Sequence, residues 1–119
     1  MTTHNILIID DEIEVCMLLK NYLTKKVKQV GFSTTLTAGI ASFIRTKPNL
    51  LILDNNLPDG FGIENIALFK KINPSIYIVL ISARSDLKNT ALEKGADFFI
   101  EKPISFSILN TILEKNKSL

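Results

Sequence analysis

The stretch Leu50-Leu51-Ile52-Leu53-Asp54-Asn55-Asn56-Leu57-Pro58-Asp59-Gly60 drives four apolar residues straight into a carboxylate and then into a Pro-Asp-Gly turn. A short apolar run with no polar alternation suits a strand covered on both faces, as in a parallel sheet. An aspartate where a strand meets a turn is more often a turn former than a reactive group. The meaning of Asp54 therefore has to come from the rest of the chain.

The same pattern recurs on either side. Ile6-Leu7-Ile8-Ile9 ends in Asp10-Asp11, Ile76 to Ile81 stops at Ser82-Ala83, and Phe98-Phe99-Ile100 precedes Lys102. Lys28 to Ser33 is a weaker, more polar run that suits a sheet edge. Between the runs the apolar spacing turns helical: Val15, Leu18, Leu19, Tyr22 and Leu23 form one stripe, with Asp11 and Glu14 placed to cap it. Thr37 to Thr46 is bounded by Pro48, Ile63 to Lys70 ends before Pro74, the Leu87-Ala91-Leu92 helix closes at Gly95, and Ile104 to Lys115 is the last. Five strand-helix units predict an α/β chain with an open, doubly wound parallel sheet. A closed barrel would take eight units and roughly 250 residues. The 119 residues are read as one domain over residues 1–119.

Composition narrows the function. Hydrophobic residues make up 46% and charged residues 22%, ordinary for a globular protein. The apolar runs are far too short to span a membrane and no signal peptide opens the chain, so a cytoplasmic location and no membrane partner are expected. Cys16 stands alone, which excludes an internal disulfide, and it reads as a packing residue. The net charge is +2, the lysines are dispersed, and only Arg45 and Arg84 are arginines. No element concentrates basic residues with aromatics, so no direct nucleic-acid binding is expected.

In open α/β sheets, ligands sit beyond the carboxyl ends of the strands where strand order reverses. The residues there are Asp10, Asp11, Asp54, Ser82 and Lys102. With strand order 2-1-3-4-5, three carboxylates converge. Two of them about 4 Å apart repel by roughly 4 kcal/mol at an effective dielectric near 20, and Lys102 supplies one positive charge. With no histidine or cysteine nearby in sequence, an all-oxygen site suits Mg²⁺ (or Mn²⁺) rather than zinc. A metal, a lysine, a hydroxyl and a spare carboxylate together suit phosphoryl chemistry.

Asp10-Asp11, Asp54 with Leu57-Pro58 and Gly62, Ser82-Ala83, Gly95-Ala96-Asp97 and Lys102-Pro103 occur in this order on a five-fold β-α pattern. On these residues the chain resembles the response-regulator receiver domains of two-component signalling, the chemotaxis-regulator-like superfamily with a flavodoxin-like (βα)5 fold. The resemblance implies that Asp54 accepts a phosphoryl group from a phosphohistidine of a histidine kinase or histidine phosphotransfer protein. It further implies that Asp10, Asp11, Asp54 and the Asn56 backbone carbonyl hold Mg²⁺, and that Ser82 and Lys102 bind the phosphoryl group. Ser82 and Phe99 would form the switch, and the Lys102-Pro103 peptide would be cis. Such a domain is not an enzyme on a separate substrate, but assists its own phosphorylation and dephosphorylation. Its partners would be the kinase, a downstream protein or its own effector domain, and a second copy in a phosphorylation-dependent homodimer.

The face of the fourth helix, fifth strand and fifth helix would carry the output, with Lys88, Lys94, Asp97 and Phe98 as surface contacts. Two positions depart from the commonest pattern: Phe99 where tyrosine is frequent, and Ser82 where threonine is frequent. Asn56 and Arg84 lie two residues past Asp54 and Ser82 and are expected to tune the lifetime of the phosphorylated state.

Competing readings are weaker. His4, the only histidine, sits at the start of the chain and reads as exposed. A flavodoxin-like binder would need a phosphate-cradling loop where Asp10-Asp11-Glu12 stands, and an aspartyl phosphatase would carry Asp-x-Asp where Glu12 takes the second place. A degenerate receiver, a phosphorylation-independent interaction module, is the remaining alternative.

Overall fold

The apolar runs become the strands of one sheet. A computed structural model describes residues 2–116, with side chains from Asn5 onward, so the expectation for His4 lies outside the described residues. In chain order the elements are β1 (Thr2–Ile9), α1 (Ile13–Leu23), β2 (Val27–Ser33), α2 (Leu36–Thr46), β3 (Leu50–Asp54), a two-residue pair β4 (Asn56–Leu57) and β5 (Gly60–Phe61), α3 (Ile66–Ile72), β6 (Tyr77–Ser82), α4 (Lys88–Glu93), β7 (Phe98–Glu101) and α5 (Phe106–Lys115). The main sheet is parallel with order β2-β1-β3-β6-β7, the expected 2-1-3-4-5 arrangement with β2 at an edge. β1 pairs directly with β3, bringing Ile9 opposite Leu53. Order reverses at that pair.

Alternation along each strand divides the core into two layers. Ile6, Ile8, Ile52, Val79 and Ile81 face α1 and α5, where Cys16, Leu19, Leu109 and Ile112 meet them. Leu7, Ile9, Leu51, Leu53 and Leu80 face α2, α3 and α4, meeting Phe43, Phe69 and Ala91. Leu50 to Leu53 are buried along their whole length, which explains a strand apolar at every position. Fully burying one such side chain stabilises the fold by about 1.5–3 kcal/mol. Among the described residues no helix is long and apolar enough to cross a membrane.

The element ends differ from the sequence reading in instructive ways. Asp11 does not cap α1: the N-cap position is Glu12, without a side-chain cap, and Asp11 is exposed. The buried Asp10 instead accepts the Glu12 N–H through Oδ1 at 2.9 Å. The third and fourth helices open with 3-10 turns, Gly62–Asn65 and Ser85–Leu87. α5 starts at Phe106 rather than Ile104, because Ser105 Oγ accepts the Ile108 N–H and fixes the first turn.

Two connections are tied across the fold. Asp59, at the tip of the β4–β5 hairpin, accepts from Leu36 N (2.8 Å), Thr37 N (2.9 Å) and Thr37 Oγ1 (2.8 Å), a second cap on α2 beside that of Thr35. These Thr37 and Leu36 donors hold its carboxyl below the usual range. Asp97, expected as a surface contact, is exposed and also latches the fold: its carboxylate accepts from Ile78 N and from Lys70 Nζ, while Lys70 also donates to the Ile76 carbonyl. Lys88 and Lys94 stand exposed at opposite ends of the short α4. Phe98 is half-buried, with Lys115 Nζ 5.4 Å from its ring centroid.

Gly62 shows how tightly the chain closes behind β3. A Cβ at this position would collide with the Asp54 carbonyl oxygen, a backbone atom that cannot step aside. Gly62→Ala is expected to destabilise the fold by about 2 kcal/mol, the scale of overpacking, read as a lowered urea midpoint.

Candidate functional site

β1, β3 and β6 end together at the carboxyl edge, and each delivers one polar side chain into the same crevice. Asp10 closes β1, Asp54 is the last residue of β3 and Ser82 the last of β6. All three are buried, Asp10 at 0%, Asp54 at 1% and Ser82 at 2% exposure. Lys102 follows β7, and its backbone N–H donates to the Ser82 carbonyl at 2.9 Å, anchoring it beside β6. The Lys102–Pro103 peptide is cis.

Lys102 Nζ stands 3.2 Å from Asp54 Oδ1 and 3.4 Å from Glu12 Oε1. Glu12 is thus part of the site, a role the sequence reading did not give it. The signal available was the unbroken acidic run Asp10-Asp11-Glu12. These three bring one carboxylate oxygen each within 4.8 Å of one another.

The electrostatics follow from burial. Desolvation is the largest influence on Asp54, and with the neighbouring Asp10 it pushes the carboxyl up to about 6, against the pull of Lys102 and the Asn56 amide. Asp10 is raised by burial despite the Glu12 N–H and Lys102. Burial pulls Lys102 down, but Asp54, Asp10 and Glu12 together outweigh it and raise its ammonium above the ordinary value.

Two buried oxygens, Asp10 Oδ2 and Asp54 Oδ2, have no hydrogen-bond partner among the described residues. Unpartnered buried carboxylate oxygens are costly, and here they open onto an all-oxygen acidic cluster. The donor set of Asp10, Asp11 and Glu12 fits a hard divalent cation.

Ser82 Oγ accepts the Arg84 N–H at 3.0 Å. The Arg84 side chain turns outward and forms a fork with Asp86, Nε to Oδ1 at 3.2 Å and Nη2 to Oδ2 at 2.7 Å. Asn56 is exposed on β4, opposite Phe61. Phe99 is half-buried and packs against the α2–α3–α4 layer. Asn55, which the sequence reading passed over, is the brace of the acceptor strand: its N–H donates to the Ile81 carbonyl, its carbonyl accepts from Gly62 N, and Oδ1 accepts from Ile63 N. Cys16 is buried, and its thiol contacts the Asp10 carbonyl at 3.2 Å. Burial, with the charge of Asp10, pushes that thiol up to about 11, consistent with a packing role.

This arrangement has relatives. The chain is 37% identical over 117 residues to the transcriptional regulatory protein YxdJ of Bacillus subtilis, covering 97% of itself and 49% of that protein. It is 31% identical to the chemotaxis protein CheY of Thermotoga maritima, covering 92% of itself and 94% of that chain. The crystal structure of a CheY-like response regulator receiver domain protein from Methanospirillum hungatei superposes with a TM-score of 0.87 at 29% identity, over 96% of this chain and 94% of the other. The chain spans about half the length of several curated relatives it matches. The family profile described as "Response regulator receiver domain" matches residues 6–114, and with the fold and crevice above, the chain belongs to that family of two-component signalling domains.

Proposed function

We propose that this domain is switched by phosphorylation of Asp54. The observation that carries the reading is the unpartnered, buried Asp54 Oδ2 on a carboxylate whose other oxygen is held by Lys102. One oxygen is fixed and the other is left to react. A carboxylate oxygen of Asp54 attacks the phosphorus of a phosphohistidine on a histidine kinase or phosphotransfer protein. The P–N bond breaks and its electron pair leaves with the imidazole.

Asp10, Asp11, Asp54 and the Asn56 carbonyl would hold Mg²⁺ (or Mn²⁺), which when bound neutralises charge on the phosphoryl oxygens. The chain's own residues do the rest. Lys102 follows the negative charge from the carboxylate to the phosphoryl group, and Ser82 Oγ turns from accepting the Arg84 N–H to donating to a phosphoryl oxygen. The modification adds about −1.5 to −2 charge. Drawing Ser82 and Lys102 inward moves the ends of β6 and β7, and Phe99 follows, reshaping the α4–β7–α5 face for a downstream partner, an effector domain or a second copy. Asn56 and Arg84 set the lifetime of the acyl phosphate, Arg84 from a position fixed by Asp86. We place this activity in the cytoplasm. With Asp10, Asp11, Asp54, Ser82 and Lys102 all present in one crevice, nothing favours the phosphorylation-independent reading.

Incubation with acetyl phosphate and Mg²⁺ is expected to add about 80 Da, one phosphoryl group, by intact mass. Asp54→Asn should abolish the adduct, and Lys102→Ala should lower its yield. Absence of the adduct on wild type, or its persistence in Asp54→Asn, would refute the assignment. After removal of the donor, Asn56→Ala and Arg84→Ala should change its decay rate; unchanged decay removes their tuning role.

The raised Asp54 carboxyl gives a second check, in chelator-containing buffer. The folded state holds the proton more tightly than the unfolded chain, so wild type loses stability as pH rises from about 4 through about 6. Asp54→Asn loses the Asp54 share of that slope and keeps only the share of the raised Asp10. It should be more stable than wild type at pH 8, on the order of 2–3 kcal/mol, with the gap closing by pH 4. Denaturant titrations at the two pH values decide it.

A further inference from the structure

Lysines scattered along the sequence are gathered by the fold. In a parallel α/β sheet, helix C-termini and strand N-termini share one edge, the edge opposite the acidic crevice. Lys25 and Lys26 occupy the α1–β2 connection and Lys28 the start of β2, Lys47 the end of α2, Lys71 the last turn of α3, and Lys94 the end of α4. Taken in sheet order from β2 across to β7, they form a row along that edge. Five strands spaced about 4.8 Å apart make it roughly 19 Å wide, the length of about six base pairs. All six side chains are exposed, and none has an ion pair among the described residues. Lys70, close by, is excluded because Asp97 holds it.

The helix dipole accounts for a lysine in a last turn, but Lys25, Lys26 and Lys28 lie beyond α1. The opposite end is richer in acid: Asp10, Asp11, Glu12, Asp54, Asp59 and Glu64 sit at or beside the carboxyl edge with Arg84, Lys88 and Lys102, while Glu93 and Asp97 are the acids near the lysine edge at α4 and β7. A net charge of +2 therefore conceals an uneven distribution, with lysine in excess at one edge and carboxylates at the other.

We propose that this lysine row binds the phosphate backbone of nucleic acid, with the acidic crevice directed away from it. The chemistry selects this occupant. Protein interfaces favour aromatic and arginine anchors and deplete lysine, whereas a phosphate backbone takes ammonium groups as point charges, independent of sequence. A membrane site would use exposed aromatics beside the lysines. Of the exposed ones, Phe61 lies toward the crevice end after β3, while Phe106 stacks on Tyr22, over whose ring Lys26 Nζ stands at 5.1 Å. The comparison of duplex with anionic vesicles in the test therefore decides between the two surfaces. Repulsion between the acidic end and a polyanion leaves one orientation, base toward the phosphates. The expectation of no nucleic-acid contact came from finding no basic element; the basic surface is built from the ends of several.

The test is fluorescence anisotropy of the unphosphorylated chain with a labelled duplex of about 20 base pairs and arbitrary sequence, titrated from low to physiological salt. Log affinity should fall against log salt with a slope of about −4 to −5, the release expected for roughly five phosphate contacts. The triple variant Lys25→Gln/Lys26→Gln/Lys28→Gln and the double variant Lys47→Gln/Lys71→Gln should each weaken binding at least about tenfold, with far-UV circular dichroism unchanged. Lys88→Gln, at the crevice end, should leave it unaltered. Binding insensitive to the base variants, no binding at low salt, or capture by phosphatidylserine vesicles in preference to the duplex would overturn the proposal. Because acetyl phosphate is absent, this outcome is independent of whether Asp54 is phosphorylated.

Discussion

One ammonium holds the carboxyl edge of this domain together. Lys102 Nζ stands between the buried carboxylate of Asp54 and the exposed carboxylate of Glu12, with Asp10 buried alongside. Removing carboxylates from water costs several kcal/mol each even after relaxation, and a single cation cannot compensate two of them. The edge therefore stays short of positive charge, and its buried oxygens keep their open valences. A divalent cation or a relocated hydroxyl would each relieve the same deficit.

The sheet makes that deficit tolerable. Strands β1, β3 and β6 are apolar on both faces, and their packing against two helical layers sets the positions of Asp10, Asp54 and Ser82 before any electrostatic term is counted. Burial that would expel a charge from a loose structure instead holds it here, because the flanking strand residues cannot turn outward without exposing both core layers. Stability of the core and readiness of the site draw on the same residues.

This division explains what the sequence disclosed. Strand positions, parallel order and the crevice residues follow from local signals: unbroken apolar runs ended by Asp10, Asp54 and Ser82. Contacts that join distant segments leave no such trace. Asp59 looked like a turn residue, and it is one, but its carboxylate also caps a helix that begins 23 residues earlier. The second role of Asp97, as a latch, left no trace because the lysine that neutralises it lies 27 residues away. The cap on α1 was misplaced by one position because the buried Asp10, rather than Asp11, reaches the Glu12 N–H. The basic edge was invisible for the same reason, since each of its elements contributes only one to three lysines.

The bonds of Asn55 and Asp59 make the crevice mechanically lopsided. On the β3 side, Asn55 is fastened to β6 and to the turn before α3, and Asp59 rivets the following hairpin to α2. On the far side, α4 is six residues long, opens with a 3-10 turn and buries only Ala91. Asp54 thus sits between two unequal flanks, heavily braced toward α2 and α3 and lightly packed toward α4.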